Sequence, residues 1–318
     1  MTPFGFSRSR NDLPMDPALD DSALAVARDD MAQGRWTTAR ELLAGTGQDW
    51  DRRSHRLAVL AEPATAGWAK DWLLAEPDSA DAAVLDAYAT VLLAGRGKAQ
   101  PATAQAACLA AARQAPEDPT PWVALLTLGR SPGLEEDLLF SCFEQVRGLD
   151  PWHRDAHHLL VAHLAEQSSG PPADDPGHPV YGFADQAAED CPAGSPLALL
   201  PLVAHLERYR VLAAGGVLPT DPARLPYWSS PRARRGLDAA FAWWLEGGQG
   251  THARLKADLN HLAYAKVLEG RLVEAAALFH AIGPHATEEP WCYGGRDPRK
   301  AFRAARDQAV GLAPPPSG

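Results

Sequence analysis

Two segments near opposite ends of the chain share one spacing, QGRWTTARELLAGT at 33–46 and EGRLVEAAALFHAI at 269–282. They superimpose as Gly34 on Gly270, Trp36 on Leu272, Ala39 on Ala275 and Leu43 on Phe279. The Gly permits a tight turn between two helices. The bulky residue after it fills the open end of the hairpin, and the small Ala stands where the two backbones come closest. The last large residue then reaches the neighbouring pair. A hairpin of this kind cannot bury both of its faces, so the spacing predicts a stack of such units, each stabilised by its neighbours.

The rest of the chain reads as helix. Ala and Leu dominate, Val and Ile are thinly spread, and the strict alternation that marks strands is absent, so the fold class is all-α. Helix starts are signalled by DDSAL at 20–24, PDSADA at 77–82 and DPWHRDA at 150–156, the last with Pro in the first turn. Pro77, Pro116 and Pro151 each close one apolar helix and open the next, and stand 39 and 35 residues apart. Helix-pair repeats have about this length.

These features resemble the tetratricopeptide repeat family, whose unit carries Trp-x-x-Leu-Gly in its first helix, Gly and an aromatic at the turn, Ala then an aromatic in its second, and Pro at its end. The matching segments are GRWTTARELL at 34–43, APEDPTPWVALL at 115–126, FEQVRGLDPWHRDAHHLL at 143–160 and LNHLAYAKVLEGRLVEAAALF at 259–279. Leu126 and Val161 stand where the family has Gly or Ala. The resemblance implies a superhelix of antiparallel helix pairs whose first helices line a concave groove that holds a peptide or partner loop. Arg28, Tyr88, Thr127, His158 and Asn260, with Tyr264 one turn beyond, are the groove positions it implies. The lysine and asparagine clamp with which some members grip a C-terminal carboxylate is not reproduced.

Two stretches break the pattern. EQSSGPPADDPGHPV at 166–180 and GGVLPTDPARLPYWSSP at 215–231 are too rich in Pro, Gly and Asp for helix. The expected organisation is a loose N-terminal segment at 1–15, helical repeats at 16–165, a loop or seam at 166–180, a C-terminal helical region at 181–311 with a repeat at 255–283, and a loose tail at 312–318.

A net charge of −10 argues against a nucleic-acid footprint, and PRARRG at 231–236 reads as a helix start flanked by solvated charges. Cys108, Cys142, Cys191 and Cys292 form no CxxC pair, no apolar leader opens the chain, and no run is long enough to span a bilayer. A cytoplasmic protein without membrane or nucleic-acid partners is expected.

The catalytic templates fail. LLAGRGKAQ at 92–100 lacks the first Gly and the hydroxyl of a phosphate loop and reads as a helix C-terminal turn, AGSPL around Ser195 has neither the second Gly nor a strand, and no HExxH occurs. His153 and His157, four apart beside Asp155, His158 and His163, offer a metal pair; the repeat alignment makes His157 a packing residue instead. Trp68 and Trp72 share one face, as core residues do, and of Trp243 and Trp244 only one can be fully buried. The expectation is a non-catalytic scaffold with no cofactor that binds a protein or peptide in its groove. The alternatives are a helical enzyme or accessory subunit holding a small molecule at 166–231 through His178, Tyr181, Tyr227 or His205, and a ligand-sensing partner of a transcription regulator.

Overall fold

A computed structural model describes residues 15–129, 136–167, 177–221, 228, 230–246 and 252–312. Among them every regular element is helical: α1 (Ser22–Met31), α2 (Thr37–Ala44), α3 (Trp50–Ala64), α4 (Trp68–Ala75), α5 (Ala80–Gly95), α6 (Pro101–Gln114), α7 (Thr120–Leu128) and α8 (Glu136–Leu149). Then follow α9 (Arg154–Glu166), α10 (Pro179–Asp190), a 3-10 turn at Pro196–Leu199, α11 (Leu200–Ala214), α12 (Pro231–Glu246), α13 (Leu255–Leu268), α14 (Leu272–Ile282) and α15 (Pro298–Leu312). The expectations placed on 1–14, on 168–176, on Tyr227 and on 313–318 lie outside the described residues. No described helix is long and apolar enough to cross a membrane.

The caps explain where helices begin. Asp21, Asp49 and Ser79 each accept the N–H three residues on, from Leu24, Arg52 and Ala82. One start differs from expectation. Pro151 lies in the turn before α9, where Asp150 accepts the Trp152 N–H, and the cap is His153, whose Nδ1 accepts the Ala156 N–H at 3.3 Å.

Helix ends repeat. Gly34 and Gly270 both adopt φ +78°, in the left-handed region where a side chain is strained. At the first, the Gly34 N–H bonds Met31 O and the Arg35 N–H bonds Asp30 O; at the second, Gly270 bonds Val267 O and Arg271 bonds Lys266 O. That is the Schellman closure of a helix C-terminus. The same pair of bonds closes α5 at Gly97 and α11 at Gly216. After each turn the chain reverses, and Ala39 and Ala275 are wholly buried where α2 meets α1 and α14 meets α13.

The odd-numbered helices form a row, α1 on α3, α3 on α5, α5 on α7, α7 on α9, α9 on α11 and α11 on α13. The even-numbered helices pack on their odd-numbered neighbours, α6 between α5 and α7 and α10 between α9 and α11. α9 and α11, on the two sides of segment 166–180, are in direct and extensive contact. The row curls back on itself. α3 also reaches α7 and α9, and His55 of α3 accepts a hydrogen bond at 3.0 Å from Arg254, immediately before α13. One continuous apolar core runs through the stack, and Trp72, Trp291 and Phe302 are among its largest wholly buried side chains.

Candidate functional site

The curl leaves a cavity of about 610 Å³ whose wall is built by the odd-numbered helices. α3 contributes Ser54 and Ala58, α5 contributes Tyr88, and α7 contributes Val123 and Thr127. On the other side stand Arg154, Asp155 and His158 of α9, Glu207 of α11 and His261 of α13. Two connecting segments complete it: Met15, Asp16, Pro17 and Leu19 before α1 on one side, and on the other the strap Ala286–Glu289, which follows α14. Ala58, Thr127, Glu288 and Glu289 are exposed at the mouth, whereas Ser54, Tyr88 and Glu207 are buried in the wall.

A buried charge network forms the base. Arg154, 2% exposed, directs Nε and Nη2 at the Asp258 carboxylate and Nη1 at Asp155 at 2.7 Å, while its backbone N–H bonds Asp51 at 2.8 Å. Burial works against the Asp155 carboxylate, but Arg254 and then Arg154 outweigh it and hold its pKa well below the usual range. Burial alone dominates at Asp51 and raises it to about 6. Burial, reinforced by Arg254, lowers His55 to about 3, and burial with Arg154 beside it pushes His158 well below its ordinary value, so both rings are neutral at pH 7.

Three polar groups in this wall are incomplete, one of them Arg254 Nε, which lies 3.5 Å from Asp155 without a hydrogen bond. His158 Nε2 is buried and has no hydrogen-bond partner. The Tyr88 hydroxyl is buried likewise and meets no hydrogen-bond geometry, with the Ser54 hydroxyl as its polar neighbour. Leaving such groups unsatisfied costs about 1–3 kcal/mol each.

Ser54, His153 and Asp51 have the order of a hydrolytic triad. Ser54 Oγ lies 2.9 Å from His153 Nε2, and His153 Nδ1 lies 3.5 Å from Asp51 Oδ1. The cap decides against that chemistry. Because His153 Nδ1 accepts the Ala156 N–H, the ring proton sits on Nε2 and is donated to Ser54, whereas a general base needs Nε2 free to receive the serine proton. Asp51 meanwhile serves the Arg154 N–H.

The structure divides the six groove positions among three places. Tyr88, Thr127 and His158 face one cavity. Arg28 stands behind it, paired with Asp16, which is in the wall. Asn260 and Tyr264 are buried away from the opening and hold the strap. Asn260 donates to Lys256 O and His285 O and accepts the Trp291 Nε1–H at 2.8 Å, and Tyr264 packs edge-on against Trp291 while its hydroxyl accepts from Arg296.

His157 donates from Nδ1 to His153 O at 2.8 Å, and its ring packs on Phe143 and Phe183, so both members of the proposed metal pair have protein partners. No group of three metal-ligating side chains occurs among the described residues. His178 caps α10, and Tyr181 packs against both His178 and His205, with Arg232 over its face. Trp72 is wholly buried and Trp68 partly, and Trp244 is buried where Trp243 is half-exposed.

Sequence reasoning passed over Ser54, Arg154, Arg254, Asp258 and His261. The available signal was charge in a packing register: Arg154 and Asp155 open the first helix of a repeat, and Asp258 and His261 alternate with apolar residues along α13. Comparison of the chain with protein-family models, with curated proteins and with solved structures found no match.

Proposed function

We propose that this chain is a divergent tetratricopeptide-like repeat protein that acts as a non-catalytic binding protein, taking a segment of a partner polypeptide into the cavity between its odd-numbered helices. One observation carries the reading. A hollow of ligand size, within the roughly 300–1,000 Å³ of ordinary binding pockets, is walled by successive first helices and contains buried polar groups that lack hydrogen-bond partners, His158 Nε2 and the Tyr88 hydroxyl among them. Its mixed wall suits a peptide: Ala58, Val123 and Leu159 offer apolar contact, while Thr127, Tyr88 and His158 offer hydrogen bonds. The tautomer of His153 favours binding over acyl transfer.

The test is a photo-crosslinking residue in place of Ala58, at the mouth, against one in place of Val273, exposed on α14. The expected result is a discrete polypeptide adduct from position 58 alone, abolished by Thr127→Trp, which sets a large ring across the mouth from an exposed position. An adduct of equal yield at position 273, insensitivity to Thr127→Trp, or no adduct at all would overturn the reading.

A further inference from the structure

The charges around the cavity do not balance. Asp16, Asp155, Glu207, Glu288 and Glu289 face two guanidiniums, Arg154 and Arg254. Most of these are neutralised locally. Asp16 is paired with Arg28, Glu207 with Arg210, Arg154 with Asp258, and Arg254 shares Asp155 with Arg154. What remains is the pair Glu288 and Glu289, exposed on the strap at the mouth, whose carboxylates have no ion pair or side-chain hydrogen bond among the described residues.

An anion entering here meets two unpaired carboxylates. It gains little from Arg154, whose Nε, Nη1 and Nη2 are all engaged with Asp258 and Asp155, and the charge of Arg254 is already set against Asp155 at 3.5 Å, although its Nε makes no hydrogen bond. A cation meets the opposite situation. The apolar stretch of wall at Ala58, Val123 and Leu159 covers the methylene stem of a long basic side chain. Deeper in, the unpartnered His158 Nε2 belongs to a neutral ring, and the Tyr88 hydroxyl, with Ser54 beside it, keeps a lone pair, so both can accept a hydrogen bond.

Resting on the binding role proposed above, we infer that the occupant is a lysine-bearing segment: its ammonium groups are drawn by Glu288 and Glu289 at the mouth, and one enters the cavity toward Tyr88 and His158. The net charge of −10 adds long-range attraction for a basic partner.

The experiment measures binding of three fluorescently labelled pentapeptide amides, Gly-Lys-Gly-Lys-Gly and its Gln and Glu counterparts, to the full chain by anisotropy, with cadaverine as competitor. The lysine peptide should bind saturably and the other two should not, and binding should weaken as salt rises from 50 to 500 mM. Glu288→Gln with Glu289→Gln, both exposed and so neutral to folding, should weaken it about fivefold or more, the scale expected of rim charges. Tyr88→Phe should weaken it further without altering the salt dependence.

Competition by cadaverine at concentrations comparable to the peptide would assign recognition to the alkylammonium alone, and failure to compete would assign it to lysine within a chain. Equal or tighter binding of the glutamate peptide, or indifference to the double Gln variant, overturns the inference. Absence of lysine-peptide binding while the Thr127→Trp-sensitive crosslink persists overturns the cationic occupant and leaves the binding cavity standing. Loss of both overturns both.

Discussion

The hairpins α1–α2 and α13–α14 begin from the same instruction and end in different surroundings. Their turns carry glycines at the same φ and close with the same two backbone bonds. Yet α1 buries one stripe, Leu24, Ala27 and Met31, whereas α13 is buried without a break from Ala257 to Lys266. Tyr264, the equivalent of Arg28 when the two glycines are aligned, is wholly enclosed by Trp291 and Tyr293, while Arg28 is partly exposed beside Asp16. α1 lies against α2 and α3; α13 is packed by α11, α12, α14 and α15. The difference teaches that the repeat spacing encodes the hairpin and says nothing of its depth.

The contrast is most open to attack at Asp258 of α13. Its replacement by Ala leaves Nε and Nη2 of Arg154, which is 2% exposed, without their acceptor and only Asp155 beside Nη1, and should cost about 3 kcal/mol, read as a large fall in Tm by calorimetry. Removing the Asp30 carboxylate of α1, which faces Arg35 and Thr38 at the surface, should have a far smaller effect. Equal losses would break the comparison.

Acid should separate the regions next, since neither α1 nor α2 contains histidine while the centre is rich in it. His55 and His205 are lowered to about 3 and about 4, mainly by burial, so the unfolded chain takes up protons that the folded one refuses. Their contribution is complete above pH 6.5 and falls as pH drops toward those values, by up to about 1.4 kcal/mol per unit for each ring. Asp51, raised to about 6, works in the opposite sense between pH 6 and 4 and offsets one of them. A net loss of about 2–3 kcal/mol by pH 5 should appear in urea midpoints; a flat profile from pH 7 to 5 would contradict the buried, neutral histidines.

Asn260→Ala leaves the Trp291 indole N–H without its acceptor and the His285 carbonyl without a donor, and should cost about 2 kcal/mol. It should also raise hydrogen exchange along the strap at 286–289, which borders the cavity. The smallest effects come from the turns. Gly34→Ala and Gly270→Ala both incur about 1 kcal/mol of left-handed strain, but an added Cβ at Gly34 meets the Trp68 ring at 3.1 Å and at Gly270 meets nothing within 4 Å. Gly34→Ala should therefore lower Tm more, and the size of that gap measures how firmly α4 is clamped over the first turn.

Particular residues show how far the sequence could be read. The pairs Gly34/Gly270, Ala39/Ala275 and Leu43/Phe279 take equivalent places, because turn closure and helix contact depend on residues within one hairpin. Tyr88, Thr127 and His158 meet at one cavity because they occupy successive inner helices at similar heights. Asn260 and Tyr264 do not join them: the segment after α14 folds back over that end of α13 and covers both, and nothing in the local spacing announces it. His153 reads as half of a metal pair in sequence and is a helix cap in the fold, since four-residue spacing places two side chains on one face without saying which nitrogen the backbone claims.

The sequence by itself determined the all-helical class, the hairpin unit and the positions of its turns, since these follow from side-chain size, glycine placement and periodicity over a few tens of residues. Tertiary structure alone decided that the row of helices curls until His55 meets Arg254 and Arg154 meets Asp258, pairs separated by 199 and 104 residues. Small differences in how each hairpin leans on the next accumulate over the whole row, and only their sum brings these charges together and leaves a cavity between them.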